Sequence, residues 1–223
     1  MPTPPSIILT QDGSHSLQSE TFGVSYHSKY GAIQESRHVF LEAGLGYVLP
    51  QKKAVRIFEM GFGTGLNAYL TWLISLSIRK SFYYEAVEAF PLTEQQIRTL
   101  NYPEQVGQDA ASFLQFHQAP WNKVAPISTR FELCKWKSEI ESAKLSGQFD
   151  VIYFDAFAPG SQPELWGEAV MGKMFNSLAP GGVLVTYCAK GSVKRTMRNI
   201  GFTVEGIPGP PGKREMTRAI KPN

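Results

Sequence analysis

Apolar and polar positions follow two rhythms along this chain. Runs such as "AVRIFEM" (54–60), "SFYYEAVEA" (81–89), "FDVIYFDAF" (149–157) and "GGVLVTYC" (181–188) are short, apolar and rich in β-branched and aromatic residues. They predict strands, the third of them packed on both faces. "LNAYLTWLISLS" (66–77), "LTEQQIRTLN" (92–101), "EQVGQDAASFLQFHQ" (104–118), "KSEIESAKL" (137–145), "PELWGEAVMGKMFNSL" (163–178) and "GSVKRTMRNI" (191–200) predict helices. "ISTRFELCKW" (127–136), "GFTVEGI" (201–207) and "REMTRAI" (214–220) predict further strands, the last two a hairpin at the sheet edge. Strands alternating with helices predict an α/β fold, a parallel sheet with helices on both faces.

Two earlier segments stand apart. "SIILTQDGSHSLQSETF" (6–22) reads as a small β-hairpin turned by Asp12-Gly13. "GAIQESRHVFLEAGL" (31–45) has helical spacing at Ile33, Val39, Phe40, Leu41 and Leu45, and Gly44 and Gly46 are expected to end it. Residues 1–50 are therefore expected to pack, as hairpin and entry helix, on a main domain of residues 51–223.

Composition narrows the class. The chain has 223 residues, 43% hydrophobic and 18% charged, which suits one decorated domain. No long apolar run or signal-like leader is present, and the two cysteines, Cys134 and Cys188, lack metal spacing. The expectation is a cytoplasmic protein with no membrane segment, metal or disulfide framework. Net charge is +3, but residues 190–221 carry eight basic residues against Glu205 and Glu215. A solvated face and a phosphate-facing patch compete for that run.

The first chemical motif is "FEMGFGTGLN" (58–67). Gly61, Gly63 and Gly65 fall at a strand-to-helix junction, where the backbone must turn tightly and approach a ligand. No Gly-Lys-Ser/Thr follows, which removes a P-loop. Gly63, Gly65 and Ala68 loosely match a dinucleotide fingerprint, but Glu59 just before the loop is poor company for a pyrophosphate. It suits a cationic ligand without phosphate, and S-adenosylmethionine carries a sulfonium and an ammonium. Glu88, ending the second strand, stands where such sheets place an acid for ribose hydroxyls. Phe62, Thr64 and Asn67 share the loop and join the expected cofactor contacts.

The second motif is "VIYFDAFAPGSQPELW" (151–166). It delivers Asp155 to the carboxyl edge of the sheet between Phe154 and Phe157. A carboxylate there can orient an amine and take its proton, and aromatic faces stabilise developing positive charge. The plainer reading makes Asp155 a cap and the phenylalanines core. Trp166 reads as core ahead of a base-stacking residue, and His27 as structural, while Tyr26, His27 and Glu35 could close over the cofactor.

Taken in order, these segments resemble the methyltransferase domain of the MnmC family over nearly the whole length. "GAIQESRHVFLEAGL", "FEMGFGTGLNAYLTW", "EAVEAFPL", "LVTYCAKGSVKRTMRNIGFTV" and "GKREM" are similar to its signatures. "FDVIYFDAFAPGSQPELW" is similar to its Asp-x-Phe-Ala-Pro…Asn-Pro-x-x-Trp motif, with Gln162 for the asparagine. The resemblance implies a Rossmann-like, S-adenosylmethionine-dependent enzyme. Its reaction would methylate the aminomethyl group of a tRNA wobble uridine, giving 5-methylaminomethyl-(2-thio)uridine. It makes Asp155 the base, sets Phe154 and Phe157 around the uridine, and assigns Glu59, Gly61, Gly63, Gly65 and Glu88 to the cofactor. Many members are fused to a flavin-dependent oxidase. With its end at Asn223, this chain is expected to stand alone, its amine supplied by a separate oxidase.

One departure is visible. Where the family has Gly-Asp after the third strand, this chain reads "CKWKSEI" (134–140), so Ser138, a backbone group or Glu139 is expected near the adenine. Lys190, Lys194, Arg195, Lys213 and Arg214 are the candidate contacts to an anticodon loop, whose base can be splayed into a pocket. Competing readings are a small-molecule amine methyltransferase, a non-catalytic RNA-binding module and, more weakly, a nicotinamide oxidoreductase.

Overall fold

A parallel strand covered on both faces must be apolar at nearly every position. β8 (Phe149–Phe154) meets that demand, since all six residues are buried, in a computed structural model that describes residues 6–19 and 23–223. Asp150 is the polar member. It accepts from the Arg56 backbone N–H at 2.8 Å and pairs with Lys52 at 2.7 Å. β8 lies beside β4 (Ala54–Met60) in the middle of an eight-stranded sheet. Beyond β4 come β5 (Ser81–Glu88), β7 (Phe131–Lys137) and β6 (Val124–Ser128). Beyond β8 come β9 (Leu178–Thr186), β11 (Glu215–Ile220) and β10 (Thr203–Pro208). The inner strands β7, β5, β4, β8 and β9 are parallel. β6 and the terminal pair run antiparallel to their neighbours. The chain proceeds outward in one direction from β4 and in the other from β8, so a crevice opens at the carboxyl ends of these two strands.

The period of two along each strand sorts side chains into two cores. Ile57, Tyr84, Val151, Tyr153, Val183 and Val185 pack with the entry helix, α3 (Leu66–Ser77) and α6 (Ala110–Gln118). Phe58, Met60, Ile152, Phe154 and Leu184 pack with α7 (Glu168–Ser177) and α8 (Gly191–Ile200). This arrangement is the expected α/β sheet with helices on both faces.

The expected hairpin is present as β1 (Ser6–Leu9) and β2 (His15–Ser19), joined by β3 (Val24–Ser25). Residues 20–22 of that stretch lie outside the described residues. The entry helix does not stop at its glycines. It runs from α1 (Ala32–Ser36) through a π-helical stretch (Arg37–Leu45) and α2 (Gly46–Val48) into a 3-10 turn (Leu49–Gln51). A Cβ on Gly44 would stand 2.7 Å from Val185 Cγ2 and 3.3 Å from Val151 Cγ2. Gly44 is a point of close approach between helix and sheet, which a stop signal read from sequence does not distinguish.

Other boundaries also move. "ISTRFELCKW" folds back as two strands, β6 and β7. The helix expected from residue 104 divides into α5 (Tyr102–Gln105) and α6, which begins where Asp109 accepts from the Ser112 N–H at 2.8 Å. "PELWGEAVMGKMFNSL" divides at Gly167 into a 3-10 turn (Pro163–Trp166) and α7. α4 (Glu94–Arg98) starts with a capping box from Thr93 and Gln96. "KSEIESAKL" is not a helix. Its carbonyls are held from outside, as Lys173 Nζ donates to the carbonyl oxygens of Ile140, of Glu141 at 3.1 Å and of Ala143 at 2.7 Å.

Candidate active site

Register brings the two acids together. Met60 pairs with Phe154 across the parallel ladder, and the Asp155 N–H donates to the Met60 carbonyl at 3.1 Å. Glu59 and Asp155 therefore share the parity of Ile57 and Tyr153, and turn to the face that α3 covers. There Asn67 Nδ2 donates to Glu59 Oε1 at 2.8 Å and to Asp155 Oδ2 at 2.9 Å. Glu59 is 1% exposed. Burial, with the Asp155 charge added, lifts its carboxyl well above the usual range against the Asn67 hydrogen bond. Asp155 is pushed up to about 7, first by burial and then by the Glu35 carboxylate, with Asn67 and Lys213 opposing.

The glycine loop turns over this pair. Gly61, Gly63 and Gly65 have φ of 88°, 50° and 74°, a region that side-chain-bearing residues rarely enter. A Cβ on Gly61 would come 3.2 Å from the Asp155 carbonyl oxygen, and one on Gly65 would come 3.0 Å from His117 Nε2. Glu88 fastens the loop, since its Oε2 accepts from the Gly63 N–H at 2.9 Å and its Oε1 from the Phe90 N–H at 2.8 Å. Below the loop, buried Lys135 donates to the carbonyls of Phe116 (2.6 Å) and His117 (2.9 Å) at the end of α6. Its ammonium lies 5.1 Å from the Phe62 ring and 4.5 Å from that of Trp121. Burial without a counter-ion lowers Lys135 to about 8.

A cleft of about 600 Å³ opens above. Gly61, Phe62, Gly63, Thr64, Asn67, Glu88, Ser138, Asp155 and Phe157 line it, as do both Ser138 and Glu139 of the "CKWKSEI" segment. Glu59 lies beneath the lining and reaches it through Asn67, and Gly65 faces the scaffold. Phe154 is a correction to the expected pocket. It is fully buried, with its ring 4.9 Å from that of Trp166, because its parity in β8 directs it to the opposite core. The second aromatic wall is Tyr26, edge-on to Phe157 at 5.1 Å. Trp166 is core, and its Nε1 donates to the Phe157 carbonyl at 2.8 Å. His27 borders the cleft but is buried, and burial lowers it to about 4. Phe90, at the mouth, was not singled out in sequence; it is 65% exposed.

The five basic candidates divide. Lys213 is bound to Glu35 at 2.7 Å and sits 3.9 Å above the Tyr187 ring. Lys194 is buried and paired with Glu215 at 2.8 Å. These two are removed from the candidate phosphate contacts because internal carboxylates already hold them. Lys190, Arg195 and Arg214 are exposed and outside any ion pair among the described residues.

The residues fit S-adenosylmethionine. Glu59 Oε2 and Asn67 Oδ1 are buried acceptors without a donor, suited to an ammonium. Glu88 keeps lone pairs for ribose hydroxyls. Among the described residues no group of three metal-ligating side chains occurs, and no helix is long and apolar enough to cross a membrane. Both cysteines are free and buried.

Residues 112–222 match a family described as S-adenosyl-L-methionine-dependent methyltransferase. The chain is 31% identical over 213 residues to the tRNA 5-methylaminomethyl-2-thiouridine biosynthesis bifunctional protein MnmC of Leptospira borgpetersenii, covering 89% of this chain and 32% of that protein. It is 30% identical over 234 residues to the protein of the same name from Aromatoleum aromaticum, covering 98% and 36%. The chain thus spans about a third of these relatives' length. A crystal structure of MNMC2 from Aquifex aeolicus superposes with a TM-score of 0.81 at 26% identity, covering 97% of this chain and 70% of that one.

Proposed function

This chain belongs to the MnmC-like S-adenosyl-L-methionine-dependent methyltransferases, and we propose that it methylates the 5-aminomethyl group of a tRNA wobble uridine. The product is 5-methylaminomethyl-(2-thio)uridine. The observation that carries the reading is Asp155, an acid pushed to about 7 in the cleft bordered by the glycine loop. It is poised to exchange a proton with an amine near neutral pH.

Glu59 and Asn67 would hold the cofactor's ammonium. Glu88 would hold its ribose, the backbone of Gly61 to Thr64 its amino-acid portion, and the Ser138–Glu139 segment its adenine. When bound, the cofactor supplies an electrophilic methyl group on sulfonium. Asp155 orients the substrate amine with its lone pair toward that group, and its carboxylate accepts the proton the nitrogen sheds as the new N–C bond forms. Tyr26 and Phe157 flank the uracil and limit water around the nitrogen.

Lys190, Arg195 and Arg214 would contact the anticodon-loop phosphates. Lys190 follows the carboxyl end of β9 and Arg214 precedes antiparallel β11, so both stand at the edge of the sheet where the cleft opens. An oxidase acting upstream would supply the amine.

The test is methyl transfer from labelled S-adenosylmethionine to tRNA bearing the aminomethyl wobble uridine. Asp155→Ala should abolish transfer and retain cofactor binding. Tight cofactor binding with no transfer to this tRNA would sink the substrate assignment and favour a small amine.

A further inference from the structure

We propose that Asn67 is a positioning residue for the reaction, holding the Asp155 carboxylate with one N–H while its other N–H holds Glu59. The inference rests on Asp155 as the proton acceptor. A carboxamide nitrogen carries two hydrogens, and both are committed here, at 2.8 Å and 2.9 Å. The reverse orientation would press Oδ1 against two carboxylate oxygens, so the neighbours fix the amide. The side chain is 2% exposed. It occupies the first turn of α3, directly after Gly65, whose left-handed conformation (φ 74°) sets the start of the helix. The turn that shapes the cofactor loop thus also places the amide against the base.

Several charged or titratable groups surround Asp155. Glu59 comes from β4, Tyr84 from β5, Glu35 from α1, Tyr102 from α5, Tyr187 from beyond β9, and Lys213 from the loop between β10 and β11. Asn67 meets it by a hydrogen bond, whereas these others act through space. A donated hydrogen bond stabilises the ionised acid and ties Oδ2 down, which leaves Oδ1 for the substrate nitrogen. Bridging through a neutral amide also keeps two acids in one buried site without a direct carboxylate–carboxylate contact.

The test uses cofactor-free protein with ¹³C-labelled aspartate carboxyls, the Asp155 signal being identified by its loss in Asp155→Asn. In Asn67→Leu the Asp155 midpoint should rise by about one pH unit, roughly tenfold less ionised acid below it. Asn67→Ser, which returns one donor, should move it less. The ascending limb of kcat against pH should move with the midpoint in both variants, so that lost activity is recovered at higher pH. An unmoved midpoint with kcat lowered equally at every pH would overturn the positioning role and leave Asn67 a packing residue. Full activity in Asp155→Asn would instead overturn the base on which the inference rests. Thermal unfolding identifies a variant that does not fold, in which case the serine variant carries the test.

Discussion

Lys213 Nζ lies 2.7 Å from Glu35 Oε1, joining the loop between β10 and β11 to the first helix, and both charges act on Asp155. Residues 178 positions apart in the chain thus bear on one carboxyl. The pair predicts two opposite pH effects. Glu35→Gln removes a negative charge and should shift the ascending limb of kcat to lower pH. Lys213→Met removes the opposing positive charge and should shift it higher. Each displacement should be ~1 pH unit or less, since both partners are partly screened. Movement of both limbs in the same direction would show that the pair acts through loop structure and not through charge.

Asp155 also predicts how stability varies with pH. Its folded value, about 7, lies above the model value of 3.8. The native state therefore prefers the protonated form. This contribution is full below pH ~4 and is lost as pH rises toward 7. Solvent in the cleft reduces the effect to about 1–2 kcal/mol. Wild type should lose that much relative to Asp155→Asn between pH 4 and 7.5 in urea denaturation. Parallel curves would mean that Asp155 is ionised throughout.

Lys135 makes a prediction in the alkaline range. Its folded value, about 8, lies below the ordinary 10.5, so the unfolded chain binds the proton more tightly. Stability should rise between pH 8 and 10.5 as that disadvantage fades. Lys135→Met should flatten this rise. It should also loosen cofactor binding, because Phe62 of the glycine loop rests beside the ammonium. Calorimetric titration with S-adenosylmethionine measures the second effect.

The glycine loop should resist even the smallest side chain. Gly61→Ala combines a φ of 88° with a Cβ 3.2 Å from the Asp155 carbonyl oxygen. The strain, about 1–2 kcal/mol, should weaken cofactor affinity by roughly tenfold or more. Gly160→Ala, where a Cβ meets nothing within 4 Å, is the control and should bind as wild type.

On the nucleic-acid side, Lys190→Glu, Arg195→Glu and Arg214→Glu should each weaken tRNA binding. Each should also reduce the steepness of its salt dependence by about one. Lys194→Met should spare the salt slope and lower the melting temperature, since its partner Glu215 is internal to the fold. Filter binding across a salt series distinguishes the two outcomes.

The sequence by itself determined the order of strands and helices, the glycine turn and the arrival of Asp155 at the carboxyl edge. Each follows from local chemistry: apolar runs that must be covered, backbone torsions that need glycine, and a polar residue ending a buried strand. It could not decide which glycine ends a helix and which admits a neighbour, as Gly44 shows. Nor could it tell that the "KSEIESAKL" carbonyls find their donor in Lys173, 30 or more residues away. Only the tertiary structure decided which face Phe154 takes, which basic residues are already paired, and that one amide stands between Glu59 and Asp155. Those outcomes depend on strand register and on partners distant in the chain, and pairwise interactions of that kind leave no periodic trace in a single sequence.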